Sequence, residues 1–90
     1  MDFVWDVKKK QANYKNHKII FNEAIYIFSD PYSIAILDPD HSENEERFIT
    51  IGEAKNSKIL IVSHTYRENA TKIRIISARK AGKKEIALTK

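Results

Sequence analysis

His64, Tyr66 and Arg67 stand at the end of an apolar run, and Arg74 and Arg79 follow close behind. These are the residue types that metal-free cleavage of RNA requires. In that reaction the neighbouring 2′-OH is the nucleophile. One group must accept its proton, another must protonate the leaving oxygen, and cations must surround the crowded phosphate. Histidine is the side chain whose ordinary titration lies nearest neutrality, which makes His64 the candidate acid or base. Arginine meets phosphate with a planar fork of donors and keeps its charge. Tyr66 offers a ring on which a base can stack. Together with Tyr66, the cations Arg74, Lys80, Lys83 and Lys84 are expected to bind the polyanion.

Strand geometry constrains this set. In a regular strand His64 and Tyr66 share one face, while Thr65 and Arg67 share the other. Likewise Arg74 and Ala78 point away from Ser77 and Arg79. The candidates cannot all line one groove unless a bulge or a strand end re-aims some of them. Arg67 and Arg79, both expected at strand ends, are therefore the preferred pair, with His64 as the proton-transfer group. The alternative for His64 is a half-buried histidine hydrogen-bonded within the sheet. For Arg74 it is an outward residue that pairs with Glu or contacts RNA.

His17 is read as a cap at a helix C-terminus, where its charge is favourable. His41 stands beside Asp38, Asp40 and Glu43, but the loop lacks the glycine and spacing of a calcium site. It is expected to be solvated and to hold no metal. Glu46 is a possible catalytic carboxylate but not the preferred one. With two glycines and no cysteine there is no phosphate-cradling loop, no thiolate nucleophile and no disulfide framework. No cofactor is expected.

Charge is distributed unevenly. Five carboxylates fall within residues 38–46, whereas residues 55–90 carry a net +8 in a chain of net +4. Such separation steers an anionic partner towards one side of the molecule. The 42% hydrophobic and 31% charged composition is that of a globular protein. No apolar run has the length of a membrane span and the first ten residues hold no apolar signal core, so a soluble cytoplasmic location is expected.

Ninety residues suffice for one domain, 1–90, with one sheet and a few helices. A short strand at 3–5 leads to Asp6, an N-cap, and to a polar helix over residues 7 to about 17, with Ala12 and Tyr14 as its core contacts. Asn22 is expected to cap a second helix over 23 to about 28, with Ala24, Ile25 and Phe28 buried. Strands are expected at 33–37, 47–51, 58–66 and 72–78, with Gly52 closing the second of them and short polar turns between the last three. A helix from about 79, capped by Ser77, ends the chain. The order β-α-α-β-β-β-β-α implies an α+β fold: an antiparallel curved sheet with helices on one face and the other left for function.

Three motifs carry a family resemblance. FVWD at 3–6 is followed by Lys9, Asn13, His17 and FNEA at 21–24; DPDHSENEERFITIG occupies 38–52; IRIISARKAGKKE occupies 73–85. In this order and spacing the chain resembles the BrnT toxins of bacterial toxin–antitoxin pairs, over nearly its whole length. Lys18 stands where that family usually has glycine. The resemblance implies a RelE-like fold and a ribonuclease that arrests translation. It also implies a BrnA-like antitoxin that covers the basic face, binds operator DNA within the complex, and assembles with the toxin as a hetero-oligomer. Two other readings stay open: a basic nucleic-acid-binding or autoregulatory module that does not cleave, and a poison of a protein target such as gyrase.

Overall fold

The computed structural model describes residues 2–42 and 44–88. Its elements are β1 (Asp2–Trp5), α1 (Val7–His17), α2 (Phe21–Ala24) continued by a 3-10 helix (Ile25–Ser29), β2 (Ile34–Leu37), β3 (Phe48–Glu53), β4 (Ile59–Arg67), β5 (Lys72–Lys80) and α3 (Lys83–Ala87). Short 3-10 turns cover Pro39–His41 and Lys55–Ser57. The five strands form one open sheet in the order β1-β5-β4-β3-β2. Strands β2 to β5 are an antiparallel meander, but β1 pairs with β5 in parallel. The sheet is therefore mixed rather than wholly antiparallel. β1 runs directly into α1, which crosses the sheet beside β5, so the first strand lies along the free edge of the last.

Helix α1 forms where a cap and good helix formers coincide. The Asp6 carboxylate accepts from the N–H groups of Lys8 and Lys9, at 2.7 and 3.3 Å. The helix stops at Lys18, whose φ of 60° is left-handed and whose N–H donates to the Tyr14 carbonyl at 2.8 Å. Glycine adopts this conformation freely; a lysine there costs about 1 kcal/mol. Neither Ala12 nor Tyr14 is the core contact. The buried residue of α1 is Asn13, whose side-chain amide donates to the carbonyls of Ile19 and Ala78 and accepts from the Ala78 N–H. A helix this polar docks by hydrogen bonds rather than by an apolar stripe.

Asn22 does not cap α2, which starts at Phe21 with Ile20 in the cap position. Phe21, Ala24 and Ile27 are fully buried. Their spacing of three matches the three residues per turn of a 3-10 helix, which is why the tighter helix takes over at Ile25. This segment lies close against β3. A Cβ at Gly52 would stand 3.0 Å from the Ser33 Cβ and 3.1 Å from the Ile27 Cβ, so Gly52 sits within the strand as the residue that permits the approach, not as its end. Leu60, Val62, Ile73, Ile75 and Ala78 supply the sheet's side of the core, with Phe3, Trp5, Ile25 and Phe28 at its margin. Each buried aliphatic side chain here contributes about 1.5–3 kcal/mol.

β5 is longer than its apolar pattern implied. It runs through Arg79 to Lys80, and the Ala81 N–H still donates to the Ile59 carbonyl, at 3.0 Å. Ser77 is a strand residue, and α3 begins only after Gly82, whose N–H the Glu85 carboxylate accepts at 2.6 Å. Ladder pairing with β4 outweighs the helix preference of the Arg-Lys-Ala stretch.

Candidate active site

A bulge decides what the helix-free face displays. Ser63 on β4 stands opposite Ser77, but the next residue, His64, stands opposite Ile75, so Ile76 has no counterpart. Before the bulge Ile61 faces Arg79; after it Thr65 faces Arg74 and Arg67 faces Lys72. Paired residues share a face, so Arg67, Arg74 and Arg79 all lie on one side of the sheet with Ser63, Thr65 and Ser77. An unbulged strand would have turned Arg74 away.

The acidic loop folds back over this face. Its ends are held by the Asp38 N–H donating to the Arg47 carbonyl at 2.8 Å, and by the Arg47 N–H donating to Ser42 Oγ at 3.0 Å. The Thr65 hydroxyl donates to the Glu46 carbonyl at 2.8 Å, which pins the loop beside Arg74 and leaves Thr65 buried. Glu45 then stands among cations, 3.2 Å from Arg67 Nη2, 3.9 Å from Arg47 Nε and 4.0 Å from Arg74 Nη1. Arg47 Nε is buried and has no hydrogen-bond partner among the described residues. A cleft of 430 Å³ opens beside this cluster, lined by Asp40, His41, Asn44, Glu45 and Arg47. A smaller one of 190 Å³ runs from Asp38, His41 and Arg47 to Ser63, Ile76 and Ser77.

The expected site residues are thus only partly brought together. Arg67 and Arg74 meet at Glu45. Arg79, expected at a strand end beside Arg67, lies six β4 residues away along the ladder, roughly 20 Å at ~3.3 Å per residue. It makes a two-pronged pair with Glu85 of α3, at 3.2 and 2.8 Å. That contact raises the guanidinium's pKa further and lowers that of Glu85. Lys80, Lys83 and Lys84 are exposed near the same end, but Lys80 stands opposite Leu60 and so on the other face from Arg79. Tyr66 is on the opposite face, edge-on to Phe48 at 5.2 Å. The loop residues Glu45, Arg47 and His41 were not legible as site members, because a run of carboxylates gives no sign of whether it is solvated or folded onto the sheet. Glu43 lies outside the described residues. Glu46 contributes its backbone to the Thr65 contact, and its side chain is exposed. Among the described residues no group of three or more His, Cys, Asp or Glu is placed to hold a metal ion.

His64 is not with the arginines. It is wholly buried on the helix-covered face, enclosed by Phe28, Phe48 and Tyr66, with the Thr50 hydroxyl 2.7 Å from Nε2. Burial lowers its pKa to about 4, so the ring is neutral at pH 7. Its Nδ1 has no partner among the described residues. Strand parity sends His64 inward while its neighbours Thr65 and Arg67 face the cleft. Above pH 6.5 the ring is neutral in both folded and unfolded chains. Between 6.5 and 4 only the unfolded chain takes up the proton. Stability should therefore fall with acidification across that window, by about 3 kcal/mol once below it. Urea titrations at pH 7 and 4 check this, and His64→Gln should abolish that part of the dependence.

Comparison with known proteins identifies the family. A profile described as the ribonuclease toxin BrnT of type II toxin–antitoxin systems matches residues 5–85. The chain belongs to the BrnT family. It is similar to a crystal structure of the Brucella abortus ribonuclease toxin BrnT, with a TM-score of 0.67 and 25% identity over 92% of this chain and 99% of that one. No curated protein matches the sequence. Membership of the BrnT family makes the chain a ribonuclease toxin of a type II system and implies an antitoxin partner. The BrnT match begins at Trp5 and ends at Glu85, so it takes in Asn13, the folded acidic loop, Arg67, Arg74 and Arg79. No helix among the described residues is long and apolar enough to cross a membrane.

Proposed function

We infer that this BrnT-family chain cleaves RNA internally, without a metal, on the helix-free face of its sheet. The observation that carries this reading is Glu45 set between Arg47, Arg67 and Arg74 at the mouth of a cleft. Arg67 and Arg74 would hold the scissile phosphate and offset the charge that builds on it in the transition state. An entering phosphate competes with Glu45 for the same guanidinium donors, which frees the carboxylate to accept the 2′-OH proton. Arg79, Lys83 and Lys84 would track the RNA backbone away from the reacting bond, with Lys80 reaching it only around the strand's end. Free in the cytoplasm, the enzyme would arrest translation. A BrnA-like antitoxin laid across the same cationic face would stop it, as a hetero-oligomer that meets operator DNA only through the antitoxin. We further read residues 1–90 as a single toxin domain with a RelE-like fold.

Arg67→Ala tests the site. With purified protein and a labelled RNA, cleavage should drop roughly 10²–10³-fold. The salt dependence of RNA affinity should flatten by about 0.7 in log–log slope, the share of one phosphate contact. Induced in a bacterial host, the variant should permit growth that the parent arrests. A variant as active as the parent would remove Arg67 from the chemistry. The second reading, a basic module that binds without cleaving, is favoured by the inward position of His64. It predicts the same change of salt slope with no cleavage by any form of the protein.

A further inference from the structure

Cleavage needs a donor for the leaving oxygen as well as an acceptor for the 2′-OH proton, and His64 supplies neither. We propose that His41 is the general acid of this site and that Asp38 is its positioning residue, an inference that rests on the arginine–Glu45 reading above. His41 borders both clefts, together with Glu45 and Arg47 in one and with Arg47, Ser63 and Ser77 in the other. Its Nδ1 lies 2.9 Å from the Asp38 carboxylate. That contact holds the proton on Nδ1 and directs exchange to Nε2, which has no partner among the described residues. Asp38 is itself fixed. Its N–H is bound to the Arg47 carbonyl, its own carbonyl accepts from the Ser42 hydroxyl, and its side chain is largely buried. The pair is thus an exposed imidazole on a rigid carboxylate, built into the same loop that carries Glu45.

Among the described residues, the charged groups facing His41 are Asp38 and Asp40 on its own turn, and Glu45 and Arg47 across the cleft. Two carboxylates of different setting flank one site. Glu45 lies among cations, while Asp38 backs an imidazole. The chemistry balances as follows. Glu45 takes the 2′-OH proton as the 2′-oxygen forms a bond to phosphorus. The bond from phosphorus to the 5′-oxygen breaks, its electron pair stays on that oxygen, and the Nε2 proton of His41 neutralises it. The products are a 2′,3′-cyclic phosphate and a free 5′-OH, with Glu45 protonated and His41 neutral. Solvent then restores both.

A substrate with sulfur in place of the bridging 5′-oxygen separates the roles, because a thiolate leaves without a proton. On ordinary RNA, His41→Asn should be slowed roughly 10²–10⁴-fold with affinity unchanged. Its pH–rate profile should lose the limb on which the parent's activity falls as pH rises. On the sulfur-bridged substrate the same variant should regain nearly the parent's rate, and Asp38→Asn should follow it, whereas Glu45→Gln should stay slow on both. An exposed loop residue can be exchanged without unfolding the sheet, and a thermal melt confirms it. If the parent cleaves and His41→Asn matches it on ordinary RNA, or is slow on both substrates, His41 is not the acid and the Glu45 site stands. If the parent cleaves neither substrate, the ribonuclease reading of the site falls and this assignment with it.

Discussion

Glu45→Gln will bind RNA more tightly than the parent and cleave it roughly 10²–10⁴-fold more slowly. Both halves of this result follow from one position. Glu45 is the carboxylate nearest three arginines of the open face, at 3.2, 3.9 and 4.0 Å. Removing its charge leaves those cations to the phosphate alone, and at distances near 4 Å the relief is worth about 1–4 kcal/mol in the partly solvated range of dielectric. The shape of the side chain is kept, so the loop stays in place through the Thr65–Glu46 and Arg47–Ser42 bonds. The glutamine amide, however, cannot take the 2′-OH proton. If Glu45 were only a counterion shielding the arginines, affinity and rate would rise together. The direction of the rate change, measured at saturating RNA beside a binding titration, decides between the two.

The second large effect concerns stability. Asn13→Ala should cost about 4 kcal/mol, since stranding a buried backbone donor or acceptor costs about 1–3 kcal/mol and three are stranded. β1 pairs with β5 only as far as Ile75. Beyond that point the Ala78 N–H and carbonyl face no strand, and the Asn13 amide serves both, at 2.9 Å each. Its other hydrogen reaches the Ile19 carbonyl at 2.8 Å, closing the chain after α1. One side chain thereby substitutes for a missing stretch of strand and joins the helix to the strand that carries Arg74 and Arg79. Asn13→Asp should be nearly as harmful, because a carboxylate cannot donate to either carbonyl. Urea titration measures both; a loss under 1 kcal/mol for the alanine variant would show that water or a shift of α1 replaces the bonds.

The strands and α1 were legible because their cues are local: β-branched runs for β3 to β5, an Asp cap and a lysine-rich helix former series for α1. Asn13 was visible as a motif position, but its use was not, since nothing local tells a polar helix residue that it will face an unpaired strand edge. The candidate site was half legible as a grouping of side chains. Arg67 and Arg74 were named, but which of them share a face depends on Ile76, an ordinary isoleucine with no glycine or proline beside it to mark a bulge. His64 was assigned chemistry from its residue type, and only the pairing register shows it turned inward. The loop's role is a long-range matter: Glu45 and Thr65 are far apart in sequence, and no pattern within either segment announces their neighbour.

The unpaired Ile76 also sets how this chain can lengthen or shorten over generations. Removing Ile76 alone would keep Ser77 opposite Ser63 and Ile75 opposite His64, so β5 could lose that one residue with every side chain on its present face, whereas an inserted residue would turn one half of the strand over. The turn between β4 and β5 bears no such constraint, for there the two strands have already parted. Length variation in the lineage should therefore collect in that hairpin tip, while within the nine residues of β5 the one loss that keeps both arginines in place is that of the bulge itself.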